Sequence, residues 1–219
     1  MSGISIIACT YNDSHFLKTC IPSCLDQDIE KEIILVDDAS TVPLDAWVKN
    51  AIVKSGIRYI CHNKNSGLSA TRNTGIAAAK YDYIVPIDAD DWFYKDSLKT
   101  LYNAKEDFDV VTGNCTDNGV YKPSISQGPL SKEVFTENNP LVCSSLFKKS
   151  IWQKVGGYMV REGPHYEDWN FWARCFAAGA RFRYLDIQIY HHTSRADSML
   201  RTLHPESSKY RKIAVEGVF

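Results

Sequence analysis

Three apolar runs in the first half of the chain end abruptly in polar clusters, and this repeated ending constrains the fold more than any other feature. Ile4-Ser5-Ile6-Ile7-Ala8-Cys9 runs into Thr10-Tyr11-Asn12, Ile33-Ile34-Leu35-Val36 into Asp37-Asp38, and Tyr83-Ile84-Val85-Pro86-Ile87 into Asp88-Ala89-Asp90. Runs so short and so apolar predict strands buried on both faces. Between them apolar residues recur at helical spacing. Leu17, Cys20, Ile21, Cys24 and Leu25 mark a first helix, opened by Asn12-Asp13-Ser14 as a cap and kept short or kinked by Pro22. Leu44, Trp47, Val48 and Ala51 mark a second, Arg58-Tyr59-Ile60 a further strand, and Ser69 to Ala79 a third helix after an Asn65-Ser66-Gly67 turn. Strands alternating with helices imply a Rossmann-like α/β architecture, a mostly parallel central sheet flanked by helices. Ligands of such sheets bind beyond the carboxyl ends of the strands, so the three polar endings should open onto one crevice.

The second half is less regular. Asp109 to Thr112 predicts a strand, residues 113–140 turns, loops and short hairpins, Leu141 to Phe147 a strand, and Lys148 to Val155 a short helix stopped by Gly156-Gly157. A helix opens at Glu167-Asp168 and ends at Gly179, Arg181 to Tyr190 is the last strand, and the polar tail from Ala196 is expected to pack loosely. With 219 residues, 44% of them hydrophobic, the chain suits one domain and needs no disulfide staples. Its seven cysteines are odd in number and contain no CxxC pair, which reads as buried thiols in a reducing compartment. Twenty-five Lys and Arg against 26 Asp and Glu argue against a dominant nucleic-acid surface. No apolar stretch approaches the ~20 residues of a membrane span, and Met1-Ser2-Gly3-Ile4 has no signal-peptide character. The expected location is therefore the cytoplasm, or the inner face of a membrane by peripheral association.

Asp88-Ala89-Asp90 is the sharpest local pattern. In an extended backbone residues two apart point to one side, so both carboxylates would face one point. Two like charges held close need a cation. A divalent ion carrying a pyrophosphate supplies it, with carboxylate oxygens taking part of its shell and phosphate oxygens more. A solvated acidic turn is the plainer alternative. At the second strand's end Asp38 could accept from a base or ribose, while Asp37 caps the following turn. Tyr11 could pack against a base or cover the sheet edge. Arg72, one turn into the third helix, could reach a phosphate or face solvent. Glu167 and Asp168 follow Gly163-Pro164-His165-Tyr166, a loop that could fold over the crevice, and a helix's first turn favours acidic residues anyway. One of His191 and His192 could complete a metal shell, or both could be structural.

No G-x-G-x-x-G follows a strand, and neither a P-loop nor a G-x-S-x-G elbow occurs, which removes dinucleotide oxidoreductases, P-loop NTPases and α/β-hydrolases. What remains resembles family 2 glycosyltransferases of the GT-A fold, from Ile4 to about Ser198. The resemblance is carried in order by Ile6 to Asn12, Ile34 to Ser40, Asn65 to Gly75, Asp88 to Asp91, Gly156-Gly157-Tyr158 and Glu167-Asp168-Trp169. It implies a single domain over 1–219, with a nucleotide-sugar-binding part at about 1–112, an acceptor-side part at about 113–200 and a tail at about 201–219. It further implies an inverting hexosyl- or hexosaminyltransferase of polysaccharide biosynthesis. Such an enzyme uses Mn²⁺ or Mg²⁺, a nucleotide-sugar donor that is most often a UDP-sugar, and a glycan, lipid-linked or protein acceptor. Carried over by position, Thr10, Tyr11 and Asp38 would hold the nucleoside; Arg72, from its place in the third helix alone, is the candidate for a phosphate. Asp88 would lie near the ribose or sugar, Asp90 would bind the metal with His192 beside it, and Asp168 would be the catalytic base with Glu167 as fallback.

Three departures accompany it. Cys9 stands where the family usually has proline, and Tyr190-His191-His192-Thr193-Ser194 matches its Tyr-Arg-x-His pattern loosely. Pro86 inside the fourth strand suggests a bulge or an early strand end. A non-catalytic nucleotide-sugar-binding module and a sugar nucleotidyltransferase stay as alternatives. The latter usually carries a Gly-rich basic loop where Thr10-Tyr11-Asn12-Asp13 stands here.

Overall fold

Helices settle on both faces of the central sheet because its strands are apolar on both. The structure, a computed structural model, describes residues 2–122, 129–161, 166–195 and 207–219, the first three of the last stretch by backbone alone. Strand β1 (Ile4–Thr10) lies between β2 (Lys31–Asp37) and β4 (Tyr83–Asp88), parallel to both, and β3 (Arg58–Cys61) extends β2 in parallel. Helices α1 (Leu17–Leu25), α2 (Ala46–Ser55) and α3 (Leu68–Ala78) make the crossovers. Beyond them come β5 (Trp92–Phe93), α4 (Ser97–Asn103), β6 (Val110–Asp117), β7 (Val120–Lys122) and α5 (Lys132–Glu137). Strand β8 (Leu146–Lys148), α6 (Lys149–Lys154), α7 (Glu167–Ala177), β9 (Phe182–His192) and α8 (Ser207–Val215) complete the described elements. The strand order is β3-β2-β1-β4-β8-β6-β9-β5, with β7 paired to β6. The sheet is mostly parallel, as expected: the antiparallel pairings are the short ones made by β5, β7 and β8.

Alternate residues of each strand feed two cores. Ile6, Ala8, Ile33 and Leu35 pack with Leu17 and Ile21 of α1, Val48 of α2 and Leu98 of α4. Ile7, Cys9, Ile34 and Val36 face the other way, onto Ile76 of α3, Ile151 of α6 and Phe171 and Trp172 of α7. Helix α3 lies especially close to the sheet, because a Cβ on Gly75 would fall 2.3 Å from the Ile7 side chain and 3.1 Å from that of Val36. That approach delivers the start of α3 to the strand ends.

Several expectations are corrected. Asn12-Asp13-Ser14 does not cap α1, whose N-cap is Phe16 with no side-chain bond. Instead Asn12 Oδ1 accepts from the amides of Thr41 and Val42 and fastens the loop after β2. Pro86 produces neither a bulge nor an early end. It pairs in register with Ile7, and β8 meets β4 only at Tyr83 and Ile84, so no second ladder is interrupted there. Of the strand expected over Leu141 to Phe147 only Leu146–Lys148 forms. Ser145 before it bonds by its hydroxyl to Thr112 Oγ1 and the Val142 carbonyl. The end of the tail does not pack loosely: the α8 carbonyls of Ala214 and Ile213 accept from Asn170 and Arg161, and Ala214 is buried. Residues 196–206, where that tail begins, lie outside the described residues. Among the described residues no helix is long and apolar enough to cross a membrane.

Candidate active site

The three polar strand endings do converge. Thr10, Tyr11, Asp38, Asp88, Asp90 and His192 line one cavity of about 390 Å³, together with Asp13, Thr193 and Arg195. Thr10 is buried and its hydroxyl has no partner in the described structure, while Tyr11 is 43% exposed. A buried hydroxyl without a partner costs free energy that an entering polar group can recover.

At the end of β2 the two aspartates divide their work. Asp37 caps the following turn through the Ser40 amide at 2.9 Å, as expected, and accepts from the Tyr59 hydroxyl at 2.9 Å. Asp38 is buried and already engaged. Its Oδ1 accepts from the Ser66 amide at 2.9 Å and meets His62 Nδ1 at 2.7 Å, and its Oδ2 accepts from the Gly67 amide at 2.8 Å. His62 reaches Thr74 Oγ1 of α3 through its other nitrogen, at 2.8 Å. A carboxylate has roughly four acceptor sites, so Asp38 ties the Asn65-Ser66-Gly67 turn to the sheet and keeps room for about one further donor.

Arg72 is corrected most. Neither solvent nor an open phosphate site surrounds it: the side chain is 1% exposed. Its Nη2 donates to both oxygens of Asp88, at 2.9 and 3.2 Å, and its Nη1 to Glu167 Oε1 at 2.6 Å. The guanidinium lies 5.4 Å from the centre of the Tyr158 ring, and Cys143 Sγ is 3.5 Å from Nη2. The next residue, Asn73, accepts at Oδ1 from the Tyr158 amide and Trp152 Nε1 and donates to the Tyr158 carbonyl. Gly157 beside it has φ +80, and a Cβ there would stand 2.8 Å from Asn73 Oδ1. The Arg72-Asn73 pair therefore clamps Asp88, the Gly156-Gly157-Tyr158 turn and Glu167 into one unit.

Strand β4 stops at Asp88, and the Asp91 amide closes a turn onto the Asp88 carbonyl at 3.1 Å. Asp88 and Asp90 thus reach the cavity through a turn and not through an extended backbone, and they have different counter-ions. Asp88 has Arg72; Asp90 Oδ2 is 3.2 Å from Arg195 Nε. Burial, with the charges of Asp88 and Asp91, pushes the Asp90 carboxyl up to about 7. Asp91 is buried, accepts from the Thr193 amide at 2.9 Å and lies 3.3 Å from His192 Nδ1. Its hydrogen bond pushes His192 up to about 9. The neighbouring His191 is committed elsewhere, stacked on Trp92 and 3.1 Å from Thr116 Oγ1.

Asp90 and His192 suit a divalent cation in part. The Asp91 contact occupies His192 Nδ1 and leaves Nε2 for a ligand once a metal displaces its proton, the usual way a carboxylate orients a metal-binding imidazole. Among the described residues no group of three or more His, Cys, Asp or Glu could hold a metal. The rest of a shell would have to come from a bound diphosphate and water, which Mg²⁺ and Mn²⁺ sites accept.

Helix α7 splits the acidic pair as neighbouring helical positions must. Glu167 turns inward to Arg72 and is buried; Asp168 keeps part of its surface exposed. Its Oδ2 accepts from Asn139 Nδ2 at 2.8 Å and its Oδ1 from the Trp169 amide at 2.8 Å. Burial, with the charge of Glu167, pushes its carboxyl up to about 6. Asp168 stands outside the lining of the cavity and is joined to it through Glu167, Arg72 and Asp88. The Gly163-Pro164-His165 loop lies outside the described residues. Sequence reasoning missed Asn139 and the Asp91–His192 contact as parts of the site. Asp91 stood in plain view beside Asp90, but its partner came from the far end of the chain.

The sequence model of the family described as Glycosyl transferase family 2 matches residues 5–156, more than half of the chain. The chain belongs to this family. Glycosyltransferase GlyA of Streptococcus pneumoniae is 34% identical over 115 residues, which is 51% of this chain and 16% of that protein. Among solved structures, S. aureus TarS 1–349 in complex with UDP-GlcNAc superimposes with a TM-score of 0.77 at 22% identity, over 91% of this chain and 60% of that one. The mannosyltransferase PcManGT of Pyrobaculum calidifontis, in complex with GDP-Man and Mn²⁺, gives 0.72 at 16% identity, over 91% and 59%. These likenesses show the GT-A fold for this family 2 chain, which spans less than two thirds of each of these proteins.

Proposed function

We propose that this chain transfers a sugar from a nucleoside-diphosphate donor, most often a UDP-sugar, to an acceptor hydroxyl, with inversion at the anomeric carbon. The observation that carries the reading is the single cavity where the ends of β1, β2 and β4 bring Thr10, Tyr11, Asp38, Asp88 and Asp90 together in a family 2 chain. The nucleotide sugars bound to TarS and PcManGT support it. In this reading Tyr11 packs on the base, and Asp38 offers its remaining acceptor capacity to the base or ribose. Arg72 holds Asp88 in place, so that Asp88 meets the ribose or sugar with a fixed orientation. It is then a positioning residue and touches no phosphate itself.

Asp90 and His192 Nε2 would hold Mn²⁺ or Mg²⁺, which supplies positive charge against the departing nucleoside diphosphate. Inversion needs a base on the acceptor side, opposite the leaving group. Asp168 fits that task because it stands apart from the cavity and its carboxyl is raised toward neutrality, which makes it a better proton acceptor. Glu167, tied to Arg72, is left to hold the guanidinium. The test is product analysis with a panel of UDP- and GDP-sugars and Mn²⁺. Release of nucleoside diphosphate with a glycosylated acceptor supports the reading; release of pyrophosphate assigns the chain to nucleotidyl transfer instead.

A further inference from the structure

One guanidinium serves two carboxylates at the rim of the cavity. Arg195 Nη1 is 2.9 Å from Asp13 Oδ1 and Nη2 is 3.4 Å from Asp13 Oδ2, while Nε is 3.2 Å from Asp90 Oδ2. The same group lies 4.7 Å over the ring of Phe16. Asp13 follows β1, Asp90 follows β4 and Arg195 follows β9, so this contact ties the segment after β1 to those after β4 and β9, which Thr193 already joins through Asp90 and Asp91. All three residues line the cavity, and each side chain keeps between 19% and 31% of its surface exposed.

The charges of the lining leave a phosphate ligand few partners besides this guanidinium. Asp38 is satisfied by two amides and His62, and Asp88 by Arg72. Among the described residues Arg195 and His192 are the cationic side chains of the lining, and His192 is turned to Asp91. A diphosphate brought into that space needs a partner, and the planar fork of an arginine matches phosphate oxygens in two-point contacts. A second cation that takes Asp90 removes the charge that holds Arg195 there.

We propose that Arg195 is a hand-over cation: it neutralises Asp13 and Asp90 while no nucleotide is bound, and gives its guanidinium to the diphosphate when a divalent cation takes Asp90. The inference rests on the nucleotide-sugar reading and adds to it a coupling between metal and nucleotide that runs through this side chain. Arg195 competes with the metal for Asp90 and assists the nucleotide, so removing it must move the two affinities in opposite directions.

The test measures Mn²⁺ binding alone, by electron paramagnetic resonance of the free ion, and UDP and GDP binding at saturating Mn²⁺, by calorimetry. Arg195→Gln should bind Mn²⁺ roughly two- to fivefold more tightly, the scale of losing a part-exposed competing ion pair. It should bind the nucleotide about ten- to a hundredfold more weakly, the scale of losing a charged hydrogen-bond partner. Arg195→Lys, which keeps the charge but not the fork, should recover part of the nucleotide affinity. A variant that binds Mn²⁺ no more tightly, or nucleotide as well as the wild type, overturns the proposal. A purely structural arginine would weaken both affinities or neither. If the wild-type chain binds Mn²⁺ but neither UDP nor GDP, the nucleotide-sugar reading itself fails and the hand-over falls with it.

Discussion

Asp168 and Arg72 have opposite relations to their surroundings. Asp168 has a carboxyl that burial and Glu167 raise to about 6, with Asn139 holding one oxygen. A base must be ionised to accept a proton. Turnover should therefore be level at higher pH and fall about tenfold per pH unit below about 6, which a pH–rate profile reads directly. Asp168→Asn should lower turnover by about 10²- to 10⁴-fold while leaving nucleotide affinity unchanged. A profile flat down to pH 5, or a fully active variant, removes Asp168 from the role. Arg72 is instead buried against the buried Glu167 and the part-exposed Asp88, and its value lies in what its loss would strand. Arg72→Gln would leave Glu167 as a buried, unpaired carboxylate, a change that costs about 3–5 kcal/mol in comparable buried pairs. Urea unfolding checks this, and a loss under 1 kcal/mol would mean the clamp contributes little. The composition around Arg72 hid this role, because its two carboxylate partners are 16 and 95 residues away in sequence.

The elements were legible where their signals are local. Strands β1, β2 and β4 announced themselves by short apolar runs, and α3 by its turn and alanine-rich face, so the sheet and the convergence of its polar ends followed from periodicity alone. Legibility stopped where tertiary partners decide. The residues before β8 are held by the Ser145 hydroxyl, which no strand pattern reveals, and α8 is ordered by Asn170 and Arg161, far from it in sequence. The turn at Asp88 to Asp91 likewise could not be told from a continuing strand, because the same DxD spacing fits both. At this scale the tightest constraint is Gly75. Gly75→Ala would place a methyl within 2.3 Å of Ile7, so α3 must move off the sheet. Overpacking of that kind costs about 1–3 kcal/mol. In a chain of this length that lowers Tm by roughly 2–4 °C for each kcal/mol. Calorimetry reads the shift, and an unchanged Tm would show that α3 has slack. Because α3 also carries Arg72 and Asn73, the same variant should weaken nucleotide binding.

Across the whole molecule, one sheet gathers into a single cavity groups that are distant in sequence: Thr10 and Tyr11, Asp38, Asp88 to Asp90, and His192. All of these but His192 were readable as strand endings in an α/β chain. His192 was readable only as one of two histidines, and the Asp91 contact selects it. The fold and the family are those of glycosyltransferases, and in the proposed reaction this cavity holds a nucleotide sugar through a cation on Asp90. Thermal unfolding of the wild type and of Asp90→Ala, each with UDP-GlcNAc and with GDP-mannose, in Mn²⁺ and in EDTA, reads this binding. A ligand at 100 times its Kd stabilises a fold by about 2.7 kcal/mol, so one of the two sugars should raise the wild-type Tm by several degrees in Mn²⁺. That rise should vanish in EDTA and in Asp90→Ala. No rise with either sugar in Mn²⁺, or an equal rise in EDTA and in the variant, would mean that the cavity does not hold a nucleotide sugar through a cation on Asp90.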